Sequence, residues 1–259
     1  MEYACELWDG CIEYESNQLE QIQYHAARII TGLPLYASKE SLLCETGWET
    51  LKVRREKRKL QLFFKIQNDL TPEYLSNLLP DRVNQSTPYN LRNSDEFRQP
   101  QYRLQSTTKS FFPSTTSLWN QLDPNVKAQP LKKFKNSLKE SYPSQQVPEY
   151  FLVGPRKENI LLTRLRNASS SLNDDLFRVN LSNSRSCSCQ YPIENVSHFF
   201  LSCPLYTSQR TTLINRLGPF LHGHVRLTQL LNGRDDLTIK DNIYIQLALQ
   251  DFVSTSGRF

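Results

Sequence analysis

Three cysteines and a histidine fall within a 17-residue stretch near the far end of the chain: Cys187, Cys189, His198 and Cys203, spaced C-x-C-x8-H-x4-C. Three thiolates and one imidazole make a complete tetrahedral donor set for zinc, whose filled d shell imposes no geometry of its own. The gap between His198 and Cys203 lies in the usual range for a second ligand pair, whereas C-x-C is tighter than a usual first pair. Residues i and i+2 share one face of an extended strand, so Cys187 and Cys189 can reach one metal from a strand. A turn at Ser188, which Ser184 and Ser186 favour, would bring them closer. Pro204 suits the first position of a helix, which places Cys203 at a helix start. Four protein donors leave no open position for water, so such a site is structural. It would contribute on the order of 10–16 kcal/mol to the folding of its module, against about 5–15 kcal/mol for a whole domain. Losing the ion is then expected to unfold at least residues 185–217. The alternative is three buried thiols beside a hydrogen-bonded histidine.

The remaining cysteines, Cys5, Cys11 and Cys44, are scattered far upstream. No apolar run follows a basic start, and no stretch approaches about 18 uninterrupted apolar residues, so neither a signal peptide nor a membrane span is predicted. The expected setting is intracellular, where thiols stay reduced and a Cys/His cluster reads as metal-binding before it reads as disulfides. In a secreted chain the same six cysteines would allow three bridges instead.

Scarce glycine points to helices. Of eight glycines in 259 residues, Gly32, Gly47, Gly218 and Gly233 each follow a periodic apolar segment, where a helix ends in a left-handed residue. Asn17 with Glu20 resembles a capping box, and Leu19, Ile22, Ala26 and Ile29 then recur on one face, with Gly32 and Pro34 as the stop. Ser38 can cap a short helix that carries Leu42, Leu43 and Cys44 and ends at Gly47. The longest helix is expected from Leu51 to Leu70, with Val53, Leu60, Phe63, Phe64 and Leu70 on one face and Arg54, Lys57, Arg58, Gln61, Lys65 and Asn68 on the other. From Pro80 to Pro113 apolar residues are isolated among Pro, Asn, Ser, Gln and Arg, which reads as a long irregular connection. Helical patterning returns at Leu118, Trp119 and Leu122, stops near Pro124, and resumes with Leu131, Phe134, Leu138 and Tyr142. Pro143 and Pro148 mark a break. Further helices are expected over Asn159–Leu172, Leu205–Leu217, Leu227–Leu231 and Ile243–Val253.

The net charge of +5 is only a mild bias toward polyanionic partners, so local clustering matters more. Six of the eight residues from Lys52 to Lys59 are basic, and Lys132, Lys133, Lys135 and Lys139 form a second group around Phe134 and Leu138. Such faces bind phosphates with steep salt dependence; an ordinary solvated helix face has the same composition. Tyr102, Phe111, Phe112 and Trp119 are either base-stacking platforms or core. No Gly-rich phosphate loop, H-E-x-x-H or G-x-S-x-G occurs. His25 reads as packed or exposed and His222 and His224 as loop residues. Asp174–Asp175 and Asp235–Asp236 look like turns and helix caps rather than a two-metal centre. No catalytic site is expected.

Taken in order, a set of blocks resembles the C-terminal part of a non-LTR, LINE-type (jockey-like) retrotransposon reverse transcriptase. The blocks are Tyr3-Ala-Cys-Glu-Leu-Trp8-Asp; Leu19, Gln23, Ala27 and Arg28; Gly47-Trp48-Glu49, Leu51 and Arg54-Arg55; Phe63-Phe64-Lys65-Ile66; and Leu70-Thr-Pro72-Glu-Tyr74-Leu75. Tyr89-Asn-Leu91-Arg92-Asn93, Ser110-Phe-Phe-Pro113 through Leu118-Trp119-Asn120, and Phe134-Lys135 continue the series. The cysteine cluster is similar to the family's C-terminal zinc knuckle, including Glu194, His198-Phe199, Cys203-Pro204 and Tyr206; Gln190 departs from it where glycine often follows the second cysteine. The resemblance implies a structural zinc ion and a region that helps hold template RNA or target DNA near a polymerase. Arg54, Arg55, Lys57, Arg58 and Lys65 are the expected phosphate contacts. The family's polymerase and endonuclease domains would lie N-terminal to this region. With Met1 standing directly before the pattern, the resemblance implies a truncated reading frame that is not an enzyme on its own.

The expected fold is therefore mainly α: helical hairpins, a long irregular connection and a small C-terminal zinc-knuckle module. Its expected segments are 1–80, 81–113, 114–180 and 181–259. Expected partners are RNA or DNA and the polymerase region of an intact element, with no membrane and no small-molecule substrate. A cytoplasmic ribonucleoprotein or the nucleus is the expected location. The alternatives are a zinc-stabilised structural or protein-interaction module, or a non-functional retroelement relic.

Overall fold

The computed structural model describes residues 2–86, 94–99, 101–141, 146–220 and 226–259. Among them the architecture is helical, and the only β pairing is an isolated antiparallel bridge between Arg82 and Phe97. Eight helices have eight residues or more: α1 Glu13–Thr31, α2 Lys39–Thr46, α3 Leu51–Gln67, α4 Phe111–Asn120, α5 Leu131–Ser141, α6 Arg156–Arg166, α7 Thr207–Leu217 and α8 Ile239–Ser256. None is long and apolar enough to cross a membrane. Tyr142 and Pro143, His222 and His224, and the block Tyr89–Asn93 lie outside the described residues.

The chain divides into two compact units, Met1–Gln23 with Trp48–Ser144, and Tyr24–Gly47 with Gln145–Phe259. In the first, α3 carries the core. Leu60, Phe63 and Phe64 pack with Phe97, Trp119, Phe134 and Leu138. Phe64 stacks on Phe134 at 4.4 Å, and Phe63 and Trp119 lie 5.2 Å apart. Trp119 is thus core. Phe111 and Phe112 pack against the same cluster. α5 buries Phe134 and Leu138 and leaves Lys132, Lys133 and Lys139 exposed, as its 3.6-residue pattern dictates. The segment expected to be an irregular connection contains two short helical turns, Val83–Ser86 and Gln105–Lys109.

The helix boundaries follow local chemistry. Ser38 accepts the Ser41 N–H at 3.0 Å and Thr50 accepts the Val53 N–H at 3.3 Å, capping α2 and α3. Gly47 closes α2 at φ +65°, and Gly32 follows α1 at φ +67°, where a Cβ would also lie 2.6 Å from Ile160. Gly218 differs: at φ −43° it continues α7 into a 3-10 turn, Gly218–Phe220. α4 stops at Asn120, near Pro124 as expected, and Pro124 opens a one-turn helix behind the Asp123 cap.

α1 corrects the sequence reading. It begins at Glu13, so Asn17 is inside it, and Ile22 and Ile29 are exposed while Glu20, Gln23, Tyr24, Ala27 and Thr31 are buried. Polar partners decide the face. Glu20 accepts the N–H groups of Leu51 and Lys52 at 3.2 and 2.8 Å, satisfying orphan donors at the α3 N-terminus. Gln23 donates to the Glu49 carbonyl at 2.8 Å.

In the second unit, α7 and α6 pack along α8. Phe199, Phe200, Tyr206, Leu213 and Leu217 meet Leu249, Phe252 and Val253 in one cluster, which also holds Cys187 and Cys203. The segment 24–47 is tied to α6 by Arg164 to the Gly32 carbonyl, 2.8 Å, and by an Arg166–Glu45 ion pair, 2.9 Å.

Candidate metal centre

Cys187, Cys189, His198 and Cys203 converge, with one ligand atom from each and all four atoms within 4.8 Å of one another. Zn–S and Zn–N bonds of about 2.3 and 2.0 Å imply edges of about 3.8 Å between sulfurs and about 3.5 Å between sulfur and nitrogen. Cys187 Sγ and Cys203 Sγ are 3.8 Å apart, and Cys189 Sγ lies 3.2 Å from His198 Nε2. All six cysteines are free thiols. The group can hold a metal ion.

Each donor is placed by its own local structure. The C-x-C pair is presented by a turn, not a strand: the Cys187 carbonyl accepts the Gln190 N–H at 2.9 Å, and Gln190 takes the left-handed φ of +72°. Tyr191 returns its carbonyl to the Cys187 N–H at 2.9 Å, closing the loop. His198 opens a single π-helical turn, His198–Ser202, whose wider winding lets the Cys203 N–H reach the His198 carbonyl at 2.8 Å. Pro204 then starts a 3-10 turn that runs into α7. Arg210 donates to the carbonyls of Phe200 and Cys203, covering the exit of that turn.

The surrounding shell is as specific as the donors. His198 Nδ1 is 3.1 Å from Ser202 Oγ, which leaves Nε2 toward the sulfurs. A partner on one ring nitrogen fixes which nitrogen is free to bind metal. Tyr191 stacks flat on the imidazole, with centroids 4.3 Å apart. Glu194, 2% exposed, sits 3.7 Å from Cys187 Sγ, accepts the Asn173 N–H and pairs with Arg258. Ser202 was legible in principle as an H-x3-S spacing on one helical face. Tyr191 and Arg258 carry no such signal.

Desolvation makes Cys187 and Cys203 reluctant to ionise by themselves. Burial pushes the Cys187 thiol up to about 12, and burial raises Cys203 as well. Burial acts on Cys189 too, but the Tyr191 N–H and hydrogen bonds from Cys187 and Cys203 outweigh it and hold that thiol low. Burial also lowers His198, which favours the neutral, ligating imidazole. A divalent cation would supply the charge that Cys187 and Cys203 need in order to be thiolates beside Cys189.

The cationic residues of α3 separate into two groups. Arg55 is 2% exposed and reaches inward to Asp9 at 2.6 Å and Ser16 at 2.7 Å, and Lys59 joins the same Asp9 at 2.5 Å. Lys57 is buried against Glu49 at 2.6 Å. Arg55 and Lys57 are therefore internal counter-charges and do not present their charges to a phosphate; burying three cations on one helix takes carboxylates, not solvent. Arg54 and Arg58 are half-exposed and share Glu2. With Lys65, the stem of Lys57 and the acids Glu2 and Glu6 they line an open cleft of about 460 Å³.

Three of the four paired aspartates hold structural partners. Asp175 accepts the Ser170 N–H and hydroxyl at 3.0 and 2.6 Å and pairs with Arg178, Asp174 pairs with Arg185, and Asp236 pairs with Arg234. His25 is exposed. No protein-family model, curated protein or solved structure matches the chain.

Proposed function

We propose that this chain is a non-catalytic nucleic-acid-binding module, stapled at its C-terminal part by a structural zinc ion, and that it corresponds to the C-terminal region of a LINE-type reverse transcriptase. The convergence of three sulfurs and one imidazole nitrogen within 4.8 Å carries the metal half of this reading. Zinc fits the donor set because soft thiolates with a neutral imidazole select it over hard cations that prefer oxygen. Cys187, Cys189, His198 and Cys203 would hold it, and with four protein donors it would shape the loop and leave no position for a substrate water.

The nucleic-acid half is supported by Arg54, Arg58 and Lys65 around one cleft and by the exposed lysines Lys132, Lys133 and Lys139 of α5. The ordered blocks that resemble the reverse transcriptase tail supply the biological setting: RNA or DNA as partner, and the polymerase region of an intact element as neighbour. Binding of a labelled RNA at about 50 and 200 mM salt tests it. A steep fall in affinity, made shallower by Arg54→Glu with Arg58→Glu, is the expected result. No binding at the lower salt would remove the proposal.

One observation favours a second reading, a structural or protein-interaction module. The most basic helix spends Arg55, Lys57 and Lys59 on internal ion pairs, and Arg54 and Arg58 lean on Glu2. Under that reading the same salt series shows no binding.

A further inference from the structure

A cavity of about 330 Å³ opens in the first unit between Pro80, the stretch around Arg98 and Tyr102, and α4. Its chemistry is uneven in an informative way. Tyr102 lines the cavity and is 39% exposed, the one aromatic residue among its described lining residues. Arg98 supplies a guanidinium, Gln99 an amide, and Thr116 and Ser117 hydroxyls, with no carboxylate among the described lining residues; the Ser114 hydroxyl is taken up by the Phe111 carbonyl and Lys59. Thr116 is 1% exposed, yet its Oγ1 has no hydrogen-bond partner. Buried hydroxyls are rarely left so, and an orphan at a binding cavity points to a missing partner. The neighbouring aromatics are committed elsewhere, since Trp119, Phe111 and Phe112 belong to the apolar cluster.

We propose that this cavity binds one unstacked nucleobase of a single strand, with the base against Tyr102, its polar edge toward the hydroxyls of Thr116 and Ser117, and its phosphate toward Arg98. The inference rests on the nucleic-acid reading above and names the form of nucleic acid, a single strand. The volume sits at the lower end for small-ligand sites, which suits one base with its sugar. An aromatic face gives stacking without sequence demand. A phosphopeptide site would instead be expected to gather several arginines, and here there is one.

The test uses the full chain and a dye-labelled oligouridine of roughly twelve nucleotides. Tyr102→Ala is expected to weaken binding about 5- to 150-fold, the range for losing one stacked base. Its salt dependence should not change, because tyrosine carries no charge, and Tyr102→Phe should bind as the parent does. Thr116→Val, checked by circular dichroism to be folded, should also bind more weakly. A 5-iodouridine strand should cross-link to Tyr102. Wild-type-like affinity of Tyr102→Ala, with cross-links elsewhere, overturns the cavity and leaves the nucleic-acid reading standing. No binding of the wild-type chain at low salt overturns the reading itself. Displacement of the strand by a phosphoserine peptide but not by uridine monophosphate overturns the proposal in favour of a peptide ligand.

Discussion

The carboxylate of Glu194 grips the guanidinium of Arg258 through two hydrogen bonds of 2.8 and 2.7 Å, and its Oε1 lies 3.7 Å from the Cys187 sulfur. The pair joins the loop of the cysteine–histidine cluster to residues 258–259. Arg258 also donates to the Ser171 carbonyl at 2.9 Å. Glu194 is nearly enclosed, so removing its partner leaves a carboxylate without a countercharge. Arg258→Ala is expected to cost about 2–4 kcal/mol in urea unfolding, below the full figure for a buried pair because Arg258 is partly exposed. Arg258→Lys should recover only part of that, since an ammonium cannot reproduce the two-pronged geometry. A loss under about 0.5 kcal/mol, the range of ordinary surface changes, would show that the pair is incidental.

Removal of metal separates what the ion holds from what apolar packing holds. In the turn that presents Cys187 and Cys189 only those two side chains join the apolar cluster, whereas Phe199, Phe200, Leu213 and Leu217 belong to it through the helices packed on α8. Stripping the ion with a strong chelator is expected to raise amide exchange across residues 187–203 while most of the far-ultraviolet helical signal remains. Complete loss of helicity would mean that the ion supports the entire unit. Unchanged exchange would mean that the thiols and imidazole are ordinary packed side chains.

The metal-site donors were legible because chemistry confined to four residues in 17 does not depend on tertiary context. The Ser38 and Gly47 ends of α2 were legible for the same reason, since caps are local hydrogen bonds. The buried face of α1 was not. Apolar periodicity pointed to Leu19, Ile22 and Ile29, but the α3 N-terminus draws Glu20 and Gln23 inward, and nothing within α1 announces that partner. Arg55 was misplaced for a related reason. Its burial depends on Asp9, which lies 46 residues away in sequence. Charge runs reveal where cations are, not which of them a distant carboxylate will claim.

That carboxylate gives a sharp test of the α3 interior. Asp9 Oδ1 takes Arg55 Nε at 2.6 Å and Oδ2 takes Lys59 Nζ at 2.5 Å. One acid thus serves two enclosed bases. Asp9→Asn keeps the shape and removes the charge, which leaves two cations facing each other without compensation. The expected loss is about 3–5 kcal/mol, measured by urea or thermal unfolding. Asp9→Asn combined with Arg55→Met should be milder than the single change, because it removes a buried charge together with its lost partner. If the double variant is the less stable of the two, the ion pair is not what positions α3.

Gln190 offers a test in the stabilising direction. It follows the second cysteine of the turn and holds φ +72°, a conformation costly for any side chain with a Cβ. The strain persists because the Cys187 carbonyl and the Tyr191 carbonyl both close around that turn, at 2.9 Å each. Glycine adopts the same backbone without the Cβ clash but gives the unfolded chain more freedom. The two effects oppose, and relief of about 1–2 kcal/mol outweighs an entropic cost of about 0.5–1 kcal/mol. Gln190→Gly should therefore stabilise the metal-binding loop by about 0.5–1 kcal/mol and tighten metal retention in a chelator competition, because a relaxed turn presents Cys187 and Cys189 at less cost. Gln190→Val should do the reverse, since a β-branched side chain tolerates the left-handed region least. Equal metal retention in all three chains would mean that the turn is set by the sulfurs gripping the ion, with residue 190 following passively.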